Sequence, residues 1–163
     1  MNPLVMYERE YHLICQVIER LVREANAKVV FLVDKNGQLI ANAGQVGDLD
    51  TTSLASLTAG NMAATGGLAK LIGEKEFSIL FHEGEKDSIH IKLVGQRVIL
   101  VVVFDRRATA GLVRMRVNKA STELEQVFAS IIAQSSTTTT SPLLGEISDT
   151  DIDNLFTEPV PGR

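Results

Sequence analysis

The sequence predicts an α/β (α+β) domain: one five-stranded antiparallel sheet with helices on both faces. Three observations lead there. Segments at helical spacing separate groups of strand candidates. Two of those candidates, Val29 to Val33 and RVILVVVF (Arg97 to Phe104), are apolar without alternation, as strands covered on both faces are. The 163 residues are 45% hydrophobic and 22% charged, a composition that suits one globular domain with a buried core.

Tyr7, Tyr11, Ile14, Ile18, Leu21, Val22 and Ala25 recur three and four residues apart with charges between them, which predicts an amphipathic first helix ending at a left-handed Asn26. Asn36-Gly37, between Val29–Val33 and Gln38–Ala43, predicts a tight hairpin. Asp50 or Thr51 caps a second helix reaching about Ile72, with Gly73 at its end. A meander follows: Phe77 to Gly84, Ser88 to Val94 and Arg97 to Phe104. The last helix starts near Gly111, although LVRMRV also reads as an alternating strand. The order is helix, strand, strand, helix, strand, strand, strand, helix.

Placing the two doubly covered strands at the centre leaves Gln38–Ala43 and Phe77–Gly84 as edges. The second edge, FSILFHEG, is apolar on both faces, and such an edge pairs with another chain unless blocked. A homodimer through Phe77, Ile79, Leu80 and Phe81 is therefore expected.

Residues 1–133 are assigned to this domain and QSSTTTTSP opens a flexible linker over 134–145. The last segment, 146–163, is acidic. From Gln134 onward five acids face one arginine, so the tail carries the whole formal charge of −4 and the body is neutral. A neutral body argues against nucleic acid or an anionic membrane as the main partner. With a single cysteine and no leader-like start, a reducing cytoplasm is the expected location. Within the tail, Ser148 and Asp151 have capping-box spacing, Ile147 and Ile152 staple spacing, and Ile152, Leu155 and Phe156 form one apolar edge. Such a short helix is marginal alone. Acids at its start and one apolar edge suit docking into a groove with a basic rim; an inert solubilising tail is the alternative.

The second helix raises a separate question. Thr51 to Ala69 holds no charge, and Gly60, Gly66 and Gly67 each cost a helix interior about 1 kcal/mol relative to alanine. Its Ser, Thr and Asn content is too high for a membrane span. At about 100° per residue, Leu54, Leu57, Leu68 and Ile72 share one stripe, expected to face the sheet. Ser53, Ser56, Gly60, Ala63, Ala64 and Gly67 share another that is nearly free of side chains. That strip lets a second backbone approach closely. It either packs under the protein's own loops or is an intermolecular surface.

The segments VVFLVDKNGQLIANAG, LTAGNMAATGGLAKLIGE and FHEGEKDSIHIKLVGQRVILVVVFD resemble the Roadblock (dynein-light-chain-type) family, over about Leu4 to Ile132 and on into the acidic tail. The similarity is to its bacterial regulators of a Ras-like GTPase in cell polarity and motility. It implies a homodimer with the second helix and third strand at the two-fold axis, and a GTPase seated on the paired second helices. Carried over residue by residue, Ser56, Gly60, Ala63, Ala64 and Gly67 lie at or beside the partner surface, with Lys70 at its rim. The tail, through Ile147, Ile152, Leu155 and Phe156, is then a tethered second contact. The resemblance implies GTPase activation by repositioning the GTPase's own catalytic groups, and a location at a cell pole. A non-catalytic scaffold on the same fold is the competing reading.

No catalytic residue, metal or cofactor is assigned. Nucleotide-binding glycine motifs are absent from the sequence. His82 and His90 could face each other across the EGEKD turn, but two histidines fall short of a metal set, and exposed strand residues are expected. Cys15 is read as a small core residue. Arg106 and Arg107 in DRRATAG are the only candidates for an arginine finger, with a solvated loop the expected role. Arg114, Arg116 and Lys119 read as a solvated helix face.

Overall fold

A computed structural model describes residues 6–138. Helix α1 (Glu8–Ala25) leads to β1 (Val29–Asp34) and β2 (Leu39–Gly44). Helix α2 (Thr51–Leu71) precedes β3 (Ile79–Glu83), β4 (Ser88–Val94) and β5 (Val98–Phe104), and α3 (Ala110–Thr138) follows. The strands form one antiparallel sheet in the order β2-β1-β5-β4-β3. The element order, the central pair β1 and β5, and the edges β2 and β3 are as the sequence predicts.

Each central strand feeds two cores, because successive residues point to opposite faces. Val30, Leu32, Leu100 and Val102 meet α1 and α3 through Ile14, Ile18, Leu21, Val113, Val117, Leu124 and Phe128. Phe31, Val33, Ile99 and Val101 meet α2 on the other side. Ion pairs Arg20–Glu123 and Glu24–Arg116 clip α1 to α3.

Several local expectations are corrected. β1 and β2 do form the expected hairpin, but its connection is wider than a two-residue Asn-Gly turn. Asp34 Oδ1 accepts from the N–H groups of Asn36 and Gln38, Gly37 alone takes positive φ (87°), and the register slips between Leu32 and Val33. The Asp34 carboxylate stabilises a wider turn in competition with the tight one. Tyr7 and Tyr11 are exposed, and Val17 takes their place on the buried stripe of α1. Phe77 lies ahead of β3 rather than in it. LVRMRV takes the helical of its two readings, while α3 continues to Thr138 through the first residues assigned as linker. Asn26 does close α1 in the left-handed conformation.

Candidate functional site: the outer face of the second helix

Helix α2 begins at Asp50, whose carboxylate accepts from the Ser53 N–H (3.0 Å) and the Ser53 hydroxyl (2.6 Å). These bonds hold the Asp50 carboxyl below the usual carboxylate range. At the other end, Gly73 at φ 83° donates to the Lys70 carbonyl and Glu74 to that of Ala69, the Schellman pattern. Both ends are thus fixed locally, without help from the sheet.

The face that meets the sheet is not the leucine stripe. Leu57, Leu68, Leu71 and Ile72 are 73%, 58%, 83% and 69% exposed. Ala55, Thr58 and Ala69 are buried instead, with Leu54, Ala59 and Met62 half-buried beside them. Taking Gly60 as the zero of rotation, the buried side centres near 180°, where Ala55, Thr58, Met62 and Ala69 recur at three- and four-residue steps. Two faces of this helix therefore carry helical spacing. The face carrying Ala55, Thr58 and Ala69 packs on the sheet, and Leu57, Leu68 and Ile72 of the other stay exposed. Gly37 shows how close that packing is: a Cβ there would lie 3.2 Å from the Ser56 Cα.

Ser56, Gly60, Ala63, Ala64, Gly67 and Lys70 are all exposed. Beyond the helix's own nearby backbone, a Cβ added at Gly60, Gly66 or Gly67 would meet no atom of the described residues within 4 Å. The reading in which this strip packs under the protein's own loops therefore fails for the described residues. The outer surface of α2 is uncharged from Thr51 to Ala69, small along its middle, and flanked by Leu57, Leu68 and Leu71.

On one flank Asn61 Nδ2 donates to His82 Nε2 (2.9 Å), tying α2 to β3. On the other, a groove of about 360 Å³ separates Met62, Ala63, Gly66 and Gly67 from Phe77 and Leu93, with Lys35, Lys70 and Lys75 in its lining. Phe77 thus belongs to the groove beneath α2. Ile79 and Leu80 are half-buried and Phe81 is 45% exposed on β3, whose outer backbone edge has no neighbouring strand among the described residues.

The histidines do not face each other. His82 is opposite Ile89 and His90 is opposite Phe81, so the two rings lie on opposite faces of the sheet. His90 is buried rather than exposed, 6.4 Å from the Phe81 ring, and its Nε2 has no partner among the described residues. Burial depresses its pKa, and the positive charges of Lys92 and Arg114 push the same way. The cross-strand register hides His90 on the α3 side, which alternation along β4 alone does not reveal. Half-buried Cys15 packs against the α1–α3 core, and its contact with Tyr11 raises the phenol's pKa.

Arg107 is held by Asp105, with Nε 3.1 Å from both carboxylate oxygens, while its carbonyl accepts from Asn26 Nδ2. Arg106 donates to the Glu85 carbonyl (3.4 Å). Both sit in an exposed loop bonded to its own neighbours. Arg116 pairs with Glu24 rather than standing free. Among the described residues no group of three His, Cys, Asp or Glu is placed to hold a metal ion, and no helix is long and apolar enough to cross a membrane. Ile147, Ile152, Leu155 and Phe156 lie outside the described residues.

An α-β-β-α-β-β-β-α sheet with an open β3 edge and an uncharged outer helix defines a Roadblock-type regulatory domain. The sequence model described as Roadblock/LC7 domain matches residues 13–104, and the chain belongs to that family. No curated protein matches it. Among solved structures, Myxococcus xanthus MglB is 64% identical with a TM-score of 0.75, over 78% of this chain and 96% of that one. The gliding protein MglB of Thermus thermophilus is 34% identical (TM-score 0.75; 80% and 99% covered). A structure described as MglB with tetrameric arrangement is 32% identical (TM-score 0.76; 80% and 99% covered). The chain is a Roadblock-type, MglB-like protein.

Proposed function

We propose that this chain is a homodimeric activator of a bacterial Ras-like small GTPase of the MglA type, acting in cell polarity and gliding motility at a cell pole. The observation that carries this reading is the outer face of α2: exposed, uncharged and small, on a domain 64% identical to an MglB. The helix divides by rotation. Leu57 and Leu68 lie on the flank that Asn61 joins to β3, beside Leu80 at the open edge, and the second copy covers them together with Ile79 and Phe81 on the other face of that edge. Ser56, Gly60, Ala63, Gly67 and Lys70 lie toward the opposite flank and, with Ala64 at the boundary beside Leu57, receive the GTPase.

GTP hydrolysis needs an oriented water and stabilised charge on the transferring phosphoryl group. The α2 face offers no titratable group over Thr51–Ala69, and Arg107 is already engaged by Asp105. Its contribution is therefore steric. It favours the GTPase conformation in which the GTPase's own groups are in place, and it shifts that equilibrium only by its differential affinity for the two states.

The test is single-turnover GTP hydrolysis by the cognate GTPase with and without this protein. Stimulation is expected, and Ala63→Arg is expected to abolish it while leaving the melting temperature unchanged, because Ala63 is exposed. Stimulation surviving in Ala63→Arg overturns the surface assignment. Binding without stimulation in the wild-type chain supports the scaffold reading instead.

A further inference from the structure

A second groove lies on the other side of the sheet, where no function has been placed. It measures about 270 Å³ and runs between the β4–β5 turn and the last turns of α3. Phe128, Ala129 and Ile132 form its helical wall, Val94 and Val98 its floor, and Arg97 and Glu125 its charged rim. Ile132 is 45% exposed, and Arg97 makes no ion pair among the described residues.

We propose that this groove holds the chain's own acidic tail, docked in cis through Ile152, Leu155 and Phe156. Spacing supports the match. The wall residues 128, 129 and 132 step by one and three, and the tail's apolar residues 152, 155 and 156 step by three and one. Laid antiparallel, the two patterns match Ile152 with Ile132, Leu155 with the small Ala129, and Phe156 with Phe128. Reach supports it as well. Ile132 lies about 9 Å back along α3 from Thr138 at 1.5 Å per residue, and the eight residues 139–146 span up to about 26 Å when extended. The tail's surplus of four negative charges finds Arg97, which makes no ion pair among the described residues, at the rim. A tether of this length gives an effective concentration in the millimolar range, so a weak helix-in-groove contact suffices.

The consequence is that the tail is stored in the free protein, and any partner that takes it must displace it. This inference concerns the free chain and stands apart from the GTPase proposal. The chain has no tryptophan, so Phe156→Trp in the full-length protein gives a single reporter. Its emission is expected at short wavelength and poorly quenched by acrylamide. Adding Ala129→Arg, at an exposed position, is expected to shift it to the water-exposed value and raise quenching several-fold. Glu125→Lys is expected to protect it further. Water-exposed emission in the wild-type background, or protection that persists with Ala129→Arg, overturns the proposal. Recovery of protection when the Ala129→Arg reporter chain is mixed with excess wild-type chain also overturns it, because the tail then docks on another copy. Should tryptophan itself disturb the contact, the Ile132 methyl resonance of the otherwise unchanged chain reads the same event: Leu155→Asp should move it, and an unmoved signal counts against docking.

Discussion

The two sides of the sheet are built on different terms. Toward α1 and α3, large side chains interlock: Ile14, Ile18, Leu32, Leu100, Leu124 and Ile131 are all within 2% of complete burial. Toward α2, the helix rests on Ala55, Thr58 and Ala69 and turns its leucines outward. One face is closed by interlocking large side chains, and the other leaves Leu57, Leu68 and the β3 edge exposed. Leucine spacing thus reports amphipathicity, while the number of elements available to cover a face decides which residues become core.

Paired truncations should separate the two sides most widely. Leu124→Ala removes a fully buried side chain and is expected to destabilise the protomer by about 3–5 kcal/mol. Leu68→Ala, at 58% exposure, should cost less than about 0.5 kcal/mol in dilute solution. Denaturant midpoints measured across protein concentration check both. The Leu68→Ala deficit should grow with concentration if the proposed dimer covers Leu68, because the wild type then gains stability that the variant lacks. A concentration-independent Leu68 deficit as large as that of Leu124 would mean that Leu68 is core after all.

A smaller effect of opposite sign is expected on the outer strip. Gly60 and Gly67 have helical backbone and open space where a Cβ would stand. Converting both to alanine should stabilise the isolated protomer by about 1–2 kcal/mol through helix propensity. The same double variant should stimulate GTP turnover less, since two methyl groups then occupy the partner's path. A more stable protein with undiminished stimulation would separate these glycines from the interface, leaving their cost without a function.

Most of the architecture was legible because it is carried by local signals. The uninterrupted Val29–Val33 and Val98–Phe104 runs identified the central strands, Asp50 and Gly73 bounded α2, and Asn26 ended α1. That Gly60, Ala63 and Gly67 face away from this chain's own core was also legible, from interior glycines in an uncharged helix. What failed was orientation around the helix axis. Residues 54, 57, 68 and 72, and residues 55, 58, 62 and 69, both satisfy helical spacing, and the choice between them depends on how near α2 comes to the β1–β2 turn. Gly37, packed against Ser56, sets that distance, and its partner is remote in sequence. His90 was misread for a related reason: its burial is fixed by register against Phe81 and by α3 beyond, and neither is visible along β4 itself.

Acid should distinguish the two sides once more, with the smallest effects and at different pH. On the α1–α3 side, the folded pKa of His90 lies below its unfolded value of about 6.5. The unfolded chain therefore binds the proton first, so the stability from a neutral, buried His90 is complete above about pH 6.5 and is lost as pH falls through the folded pKa. On the α2 side, the folded pKa of Asp50 lies below its unfolded value of about 3.9. Its capping contribution is complete above that pH and fades only in stronger acid. Thermal midpoints from about pH 7.5 down to about pH 3 should show two separate losses. His90→Leu should flatten the first and leave the second. Asp50→Asn, which keeps an oxygen acceptor for the Ser53 N–H, should do the reverse. If Asp50→Asn left the low-pH slope unchanged, carboxylates elsewhere would set the acid limit, and the α2 cap would be as insensitive to pH as the uncharged helix it starts.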